Sequence, residues 1–389
     1  MKVLHFSNKP AFPLIDGGCI AIKGILQSLI KTPEVETYHF TLSTHKHPFK
    51  LEAYPNSWRN NMIIEDIYIE TKTSIPGAII NLAKNKSYNI SRFNSKAVKK
   101  RLKKLLEEQD FDVVILESAF LLPYLKVIKE SKVKVVLRAH NIEHFIWSDL
   151  AKNSFGIKKW YFKILSKQLK KYEKKMIPKA DGLIPISSED EKYFKSFLDK
   201  EMPIQTIETI VNYPEKIGDF KKSDFYFLGA MDWKPNKEAV DWLLNEVLKN
   251  DTSPDLFHLA GKGLEKGEIN YPNLVCHGQV ENAYNFITEH GICLIPLKSG
   301  SGIKIKLLEN MALGKPIITT SEGVKGVGVE HKKEVWIADT PTEFKQAMIE
   351  LQKDPDLRER LGLNAYQFII NNFDENILTN RLIEFIKEI

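Results

Sequence analysis

Residues 292–320 read ICLIPLKSGSGIKIKLLENMALGKPIITT. Ile292–Pro296 is an apolar run of strand length, and a Gly/Ser turn follows it. An amphipathic helical pattern then runs from about Ile303 to Leu313, and Gly314-Lys315-Pro316 ends it before the run Pro316–Thr320. Buried strand, loop, helix and buried strand in about 30 residues make a βαβ unit. Such units build parallel sheets covered by helices on both faces.

The alternation extends in both directions from this stretch. Upstream, Asp224–Leu228, Leu256–Ala260 and Leu274–Cys276 read as strands, with a helix over residues 237–249; downstream, helices follow at about 341–352 and 355–372. A separate series occupies the amino half. Strand candidates are residues 2–6 (KVLHF), Asp112–Leu116, Val133–Leu137 and Gly182–Ile186, and a helical pattern runs through Ile22, Ile25, Leu26 and Leu29. The restart after Asn212-Tyr213-Pro214 divides the 389 residues into an amino-terminal domain, 1–212, and a carboxyl-terminal domain, 213–374. The last helix carries Ile377, Leu378, Leu382, Ile383 and Ile386 at helical spacing. Two doubly wound sheets in series imply ligand sites in the loops beyond the carboxyl ends of the strands, at a cleft between the sheets.

Composition narrows the class. With 43% hydrophobic and 27% charged residues the chain is globular, and no apolar run reaches the length of a membrane-spanning helix. The start, MKVLHFSNKPAF, turns polar too early for a signal peptide, and Cys19, Cys276 and Cys293 have no metal or redox spacing. These features lead to the expectation of a cytoplasmic protein. The net charge of +6 is uneven: residues 1–200 carry a balance of +14 and the remainder −8. The amino half is therefore the part suited to an anionic partner.

Chemistry concentrates in the first stretch. Free N–H groups at a helix opening near Gly302 suit phosphate oxygens, and Gly300 and Gly302 let a ligand approach the backbone. Lys306 and Glu309, three residues apart, share a helix face, whereas Lys304 points about 160° from Lys306 and joins them only if the helix begins after it. A cation for a diphosphate beside a carboxylate for sugar hydroxyls is what a nucleoside diphosphate sugar requires. Asp354-Pro-Asp356 reads as a helix start and not as a manganese site.

The segment resembles the signature of the retaining family 4 glycosyltransferases (glycosyl transferases group 1), which have the GT-B fold of two Rossmann-like domains facing across a cleft. Glu309-Asn-Met-Ala-Leu-Gly-Lys-Pro316 matches the second half of that signature, whose glutamate holds the donor ribose. The first glutamate of the family falls on Ser301, which the resemblance places at the transferred sugar. Phe227-Leu-Gly229, His258-Leu-Ala-Gly261-Lys-Gly263 and His277-Gly278-Gln-Val280 resemble the family's other donor loops, and Ser321-Glu-Gly323 the loop after the motif. Asp16-Gly17-Gly18 resembles the glycine pair near acceptor and diphosphate, and Arg138-Ala-His140-Asn-Ile-Glu143-His144 the loop facing the sugar.

The resemblance implies catalytic roles for His140, Lys306 and Lys304, with Glu309, Ser301, Gly302, Ile303, Gly229, Gly261, Gly278 and Val280 at the donor. It implies a UDP- or GDP-type sugar nucleotide as substrate, retention, and neither cofactor nor metal. It further implies a glycan or lipid-linked acceptor and a helix 375–389 that packs back on the amino-terminal domain. Residues 152–179 hold ten lysines and one acid, Glu173, among Trp160, Tyr161 and Phe162. Such a basic amphipathic helix suits an anionic surface such as the inner face of the plasma membrane, and no nucleic-acid module is present. A sugar-nucleotide epimerase of the same fold and a non-catalytic sugar-nucleotide binder are the alternatives. A Rossmann oxidoreductase would carry Gly-x-Gly-x-x-Gly after the first strand, where Ser7-Asn-Lys-Pro-Ala-Phe-Pro13 stands instead.

Overall fold

A computed structural model describes residues 1–152, 154–199, 201–210, 219–249, 257–269, 271–300 and 302–389. They form two compact units, Met1–Ile210 with Glu375–Ile389, and Val211–Asp374.

The first unit is built on a six-stranded sheet of order β3-β2-β1-β4-β5-β6. Its strands are β1 (Lys2–Ser7), β2 (Glu36–Ser43), β3 (Met62–Tyr68), β4 (Val113–Glu117), β5 (Lys134–Ala139) and β6 (Gly182–Pro185). Every pairing is parallel. The period of two along β1 sends Leu4 and Phe6 into one apolar layer and Val3 into the other. That second layer is closed by Leu378, Leu382 and Ile386 of the helix Glu375–Glu388.

The second unit repeats the plan. Its strands β7 (Phe225–Leu228), β8 (Phe257–Ala260), β9 (Leu274–Gly278), β10 (Ile292–Ile295), β11 (Ile317–Thr319) and β12 (Trp336–Ile337) lie in the order β12-β11-β10-β7-β8-β9. Counted within the unit and read from the far edge, this is again 3-2-1-4-5-6, the order of dinucleotide-binding sheets. The strand order reverses at β1/β4 in one unit and at β7/β10 in the other, and crevices for ligands open at such points. The core of the unit gathers Phe225, Phe227, Leu294, Leu307 and Leu308.

The structure departs from the sequence reading in several places. β2 and β3 are additional strands; β2 is buried although Thr37, His39 and Thr41 interrupt its apolar pattern. The helix read over 237–249 is an α-helix, Lys234–Trp242, followed by a π turn, Leu243–Val247. The motif helix spans Ile305–Ala312 and does not open near Gly302. Gly302 has φ +73, and Lys304, extended at ψ 100, is the N-cap residue, so the chain turns helical only after it. Leu256 lies outside the described residues.

Candidate functional site

In the carboxyl-terminal unit the loops after β7, β8 and β9 are stitched together by glycines. Gly229 N–H donates to Ala260 O at 3.0 Å, and Gly261 N–H donates to Gly278 O at 2.9 Å. A Cβ on Gly261 would overlap Gly229 O, so the loops meet backbone to backbone. Val280 and Ile303 are partly buried and pack against the core of the unit.

Lys306 reaches the same edge from the first turn of its helix. Its Nζ lies 4.3 Å from the Phe227 ring centroid and donates to Asn236 Oδ1 at 2.7 Å. Asn236, buried, spans from there to the loop, its Nδ2 donating to Ala230 O at 2.7 Å. A Cβ on Gly229 would stand 2.6 Å from the ammonium, so glycine is what makes room for the cation. Enclosure by protein pushes Lys306 down to about 8, against the pull of Cys293 and Glu309. Desolvation disfavours the charged form, and a bound anion would restore it.

Glu309, one turn on, is exposed as a residue, but desolvation of its carboxyl raises it above the usual carboxylate range, Lys306 opposing, and the carboxylate has no hydrogen-bond partner among the described residues. Lys304 is placed otherwise than expected. Although the helix begins after it, its buried Nζ turns back to donate to Gly300 O at 2.8 Å and Gly302 O at 2.7 Å, 3.9 Å from Glu322. It braces the Gly/Ser turn instead of extending toward a ligand. Ser301 lies outside the described residues.

Asp354 caps the helix Pro355–Phe373 by accepting from Leu357 N–H, as its sequence pattern suggests. The sequence holds a second Asp-x-Asp, Asp110-Phe111-Asp112. It lies at the amino end of β4, where Asp112 accepts from Lys2 N–H, away from the ligand-binding ends of the strands. Two groups among the described residues bring potential metal ligands within 4.8 Å of one another: Asp16, Cys19 and His47, where the carboxylate already holds Lys9 and His47, and His258, His277 and His290. These rings already have partners: His258 Nδ1 and His277 Nε2 are 2.9 Å apart, and His290 Nδ1 is 2.7 Å from Asp224.

In the amino-terminal unit His140 follows β5. Its Nε2 is hydrogen-bonded to Glu117, the fully buried last residue of β4. The same carboxylate meets Arg138 at 3.1 Å and His5 Nε2 at 3.0 Å, and His5 continues to His39 at 3.1 Å and His39 to Tyr54 at 3.3 Å. Burial pushes Glu117 up, but Arg138, His140 and His5 together hold it well below the usual carboxylate range. Burial lowers His140, Glu117 opposing, with Arg138 and Lys9 lowering it further. The net effect favours the neutral imidazole of His140 over its charged form. Its Nε2 carries the proton toward Glu117, which leaves Nδ1 as an acceptor.

His144 differs from it: both ring nitrogens are engaged inside the fold, with Glu173 at 2.5 Å and Tyr193 Oη at 3.1 Å. Gly17 and Gly18 open the helix Gly17–Lys31, where Asp16 is the N-cap and also binds Lys9 Nζ at 2.8 Å and His47 at 2.9 Å. Asn236, Glu117 and Lys9, with His5, His39 and Tyr54 of the buried network, are polar residues of these sites that sequence reasoning did not single out.

Residues 222–354 match the family model described as Glycosyl transferases group 1, and residues 72–213 the one described as Glycosyltransferase Family 4. The chain is 25% identical over 293 residues, 70% of its length and 74% of the relative's, to an "Uncharacterized 44.6 kDa protein in cps region" of Klebsiella pneumoniae. It is 26% identical over 203 residues to an "Uncharacterized glycosyltransferase" of Methanocaldococcus jannaschii, 49% of this chain and 54% of that one, so it spans about half of that relative. Among solved structures it is similar to Anabaena HepE in complex with UDP and glucose, at 14% identity, TM-score 0.64 and 99% of each chain. It is similar to the sucrose-phosphate synthase of Thermosynechococcus elongatus at 12% identity and TM-score 0.68, over 100% of this chain and 99% of that one. Matches at this identity speak for the fold, and the family models speak for the lineage. The chain belongs to the family 4 glycosyltransferases, the glycosyl transferases group 1, with the two Rossmann-like domains of the GT-B fold.

Proposed function

We propose that the chain is a retaining, metal-independent hexosyltransferase that takes the sugar of a UDP- or GDP-type donor. The acceptor is a glycan or lipid-linked molecule in cell-surface polysaccharide or glycoconjugate assembly. The observation that carries this reading is Lys306, a half-buried ammonium at the carboxyl ends of the strands with a neutral amide and an aromatic face as its partners. Breaking the bond between sugar and diphosphate puts negative charge on the leaving group. A preorganised cation and the first-turn amides of the helix Ile305–Ala312 offset that charge, which is electrostatic catalysis with no metal needed for the task. Glu309 accepts hydrogen bonds from the donor ribose. The amino-terminal unit serves the acceptor and the sugar, with His140 Nδ1 accepting from a sugar hydroxyl. Binding of UDP and glucose by HepE and the cps-region setting of the Klebsiella relative support the donor class and the pathway type.

The same reading sets the amino-terminal unit against an anionic membrane surface. The inner face of the helix Gly156–Met176 is spent on the fold: Leu165, Gln168, Leu169 and Glu173 are buried. At its start Phe155, Ile157 and Trp160 are 88%, 85% and 57% exposed among Lys152, Lys158, Lys159 and Lys163. Apolar side chains ringed by lysines suit a headgroup boundary, at about 1 kcal/mol per lysine. Replacing Lys158, Lys159 and Lys163 by Gln should weaken binding to phosphatidylserine vesicles about 100-fold; unchanged binding would confine the helix to a structural role.

Thermal unfolding against UDP, GDP, CDP, ADP and NAD tests the donor reading. A ligand at about 100 times its Kd adds about 2.7 kcal/mol of stability. Stabilisation by one nucleoside diphosphate is the expected result, and stabilisation by NAD alone would overturn the assignment.

A further inference from the structure

An open recess lies at the carboxyl ends of β1, β2 and β3, with Asn8, Lys9, Thr44, Lys46, His47 and Arg92 in its walls and no carboxylate among its lining residues. Its charges are unevenly compensated. Lys9 and His47 share Asp16, and His45 stands 3.7 Å from Glu70. Lys46 is exposed and has no ion pair among the described residues. Arg92 is half-buried and bonds only neutral groups: Nη1 donates to Thr71 O at 2.8 Å and Nη2 to Asn89 Oδ1 at 3.2 Å. Its buried Nε has no hydrogen-bond partner among the described residues. Thr44 Oγ1 accepts from His47 N–H at 3.2 Å, which leaves its own hydrogen to donate.

We infer that this recess binds a phosphate group carried by the acceptor. The inference rests on the transferase reading and names the acceptor's chemistry. An uncharged sugar would leave the guanidinium and the ammonium without a counter-ion in a concave site. A phosphate takes charge-assisted hydrogen bonds from the remaining Nη hydrogens of the guanidinium, which lies over the Tyr88 ring, and further ones from Lys46, Thr44 and the Asn8 amide. The recess lies at the same end of the sheet as His140: Lys9 lines it, and the Lys9 charge also acts on the His140 ring. The phosphate can arrive on a soluble sugar phosphate or on a lipid-linked glycan, and both offer the site the same group.

Titration calorimetry of the full chain saturated with UDP tests this, with glucose 1-phosphate and methyl glucoside as soluble probes and vesicles containing phosphatidic acid as the lipid probe. The expected result is binding of glucose 1-phosphate or of the vesicles, weakened by salt, and no binding of methyl glucoside. Arg92→Gln and, separately, Lys46→Gln should each weaken it about tenfold, the scale of one charge-assisted hydrogen bond. Lys46 is exposed, so its variant keeps the test intact if Arg92→Gln disturbs the loop at Thr71. A preference for the soluble probe or for vesicles identifies the source. Failure of both probes, or binding unaltered in Lys46→Gln and Arg92→Gln, would overturn the inference. UDP affinity, read in the same titrations, reports on the donor reading independently.

Discussion

Each unit sets a glycine after its first strand that clears space for a lysine ammonium, and the two lysines meet opposite fates. A side chain on Gly18 would collide with Lys9 Nζ, and one on Gly229 with Lys306 Nζ. Lys9 is closed off by Asp16, whose carboxylate it meets with both oxygens at 2.8 Å. Lys306 finds an amide oxygen and a phenyl face and no carboxylate in contact. The acids divide the same way: Glu117 is buried under Arg138, His5 and His140, while Glu309 stands exposed and unbonded. One topology therefore carries two kinds of polar site. The amino-terminal site pairs its carboxylates within the fold and presents one oriented histidine, whereas the carboxyl-terminal site leaves a cation and a carboxylate with no oppositely charged group in hydrogen-bond contact among the described residues.

The largest effect should fall on stability and in the first unit. Glu117→Gln leaves Arg138 buried without its counter-ion, and breaking a buried pair costs about 3–5 kcal/mol. Urea unfolding reads the loss; a cost below about 1 kcal/mol would mean that the network is not closed on itself. In the second unit the balance should reverse. Lys306→Ala should lower turnover about 100-fold, the scale of one lost donor to a developing anion, with little loss of stability. A change in donor KM alone would make Lys306 a uniform binder of substrate and transition state. The titration of Lys306 sharpens the contrast. Its free ammonium sits at about 8 and a diphosphate favours the charged form, so UDP affinity should be full below about pH 8 and decline as pH rises through it. Calorimetry at pH 7 and pH 9 measures this, and the decline should vanish in Lys306→Gln.

How far the sequence reveals these sites follows from the range of the contacts. Apolar runs bounded by turn residues mark most strands, and the three-residue spacing of Lys306 and Glu309 puts them on one helix face, because both signals are local. β2 escapes that reading because its apolar side chains alternate with Thr37, His39 and Thr41, whose partners lie elsewhere in the chain: His5 meets His39 and Ser7 meets Thr41. Glu117 looks like the polar edge of an apolar run until β5 sets it opposite Arg138. Asn236 meets Lys306 across 70 residues. Lys304 fails for a subtler reason: rotation about the helix axis is readable, but the return of the Gly300 and Gly302 carbonyls onto its Nζ is a property of the folded turn.

The smallest effect expected, and the most specific, concerns Glu309. A carboxylate without a hydrogen-bond partner can be removed without stranding a buried one, so Glu309→Ala should leave the unfolding midpoint within experimental error of the parent. Its cost should appear in nucleotide affinity, at about tenfold for the loss of one charge-assisted hydrogen bond. The ribose assignment goes further, because it makes the loss depend on the ligand's own hydroxyls. A UDP analogue without the 2′ and 3′ hydroxyls should bind the parent and Glu309→Ala with equal affinity, since the interaction is already gone from one side. If the variant discriminates against the analogue as strongly as the parent does, Glu309 does not hold the ribose. The carboxylate would then stand unbonded for another reason, and the contrast with Glu117 would reduce to burial alone.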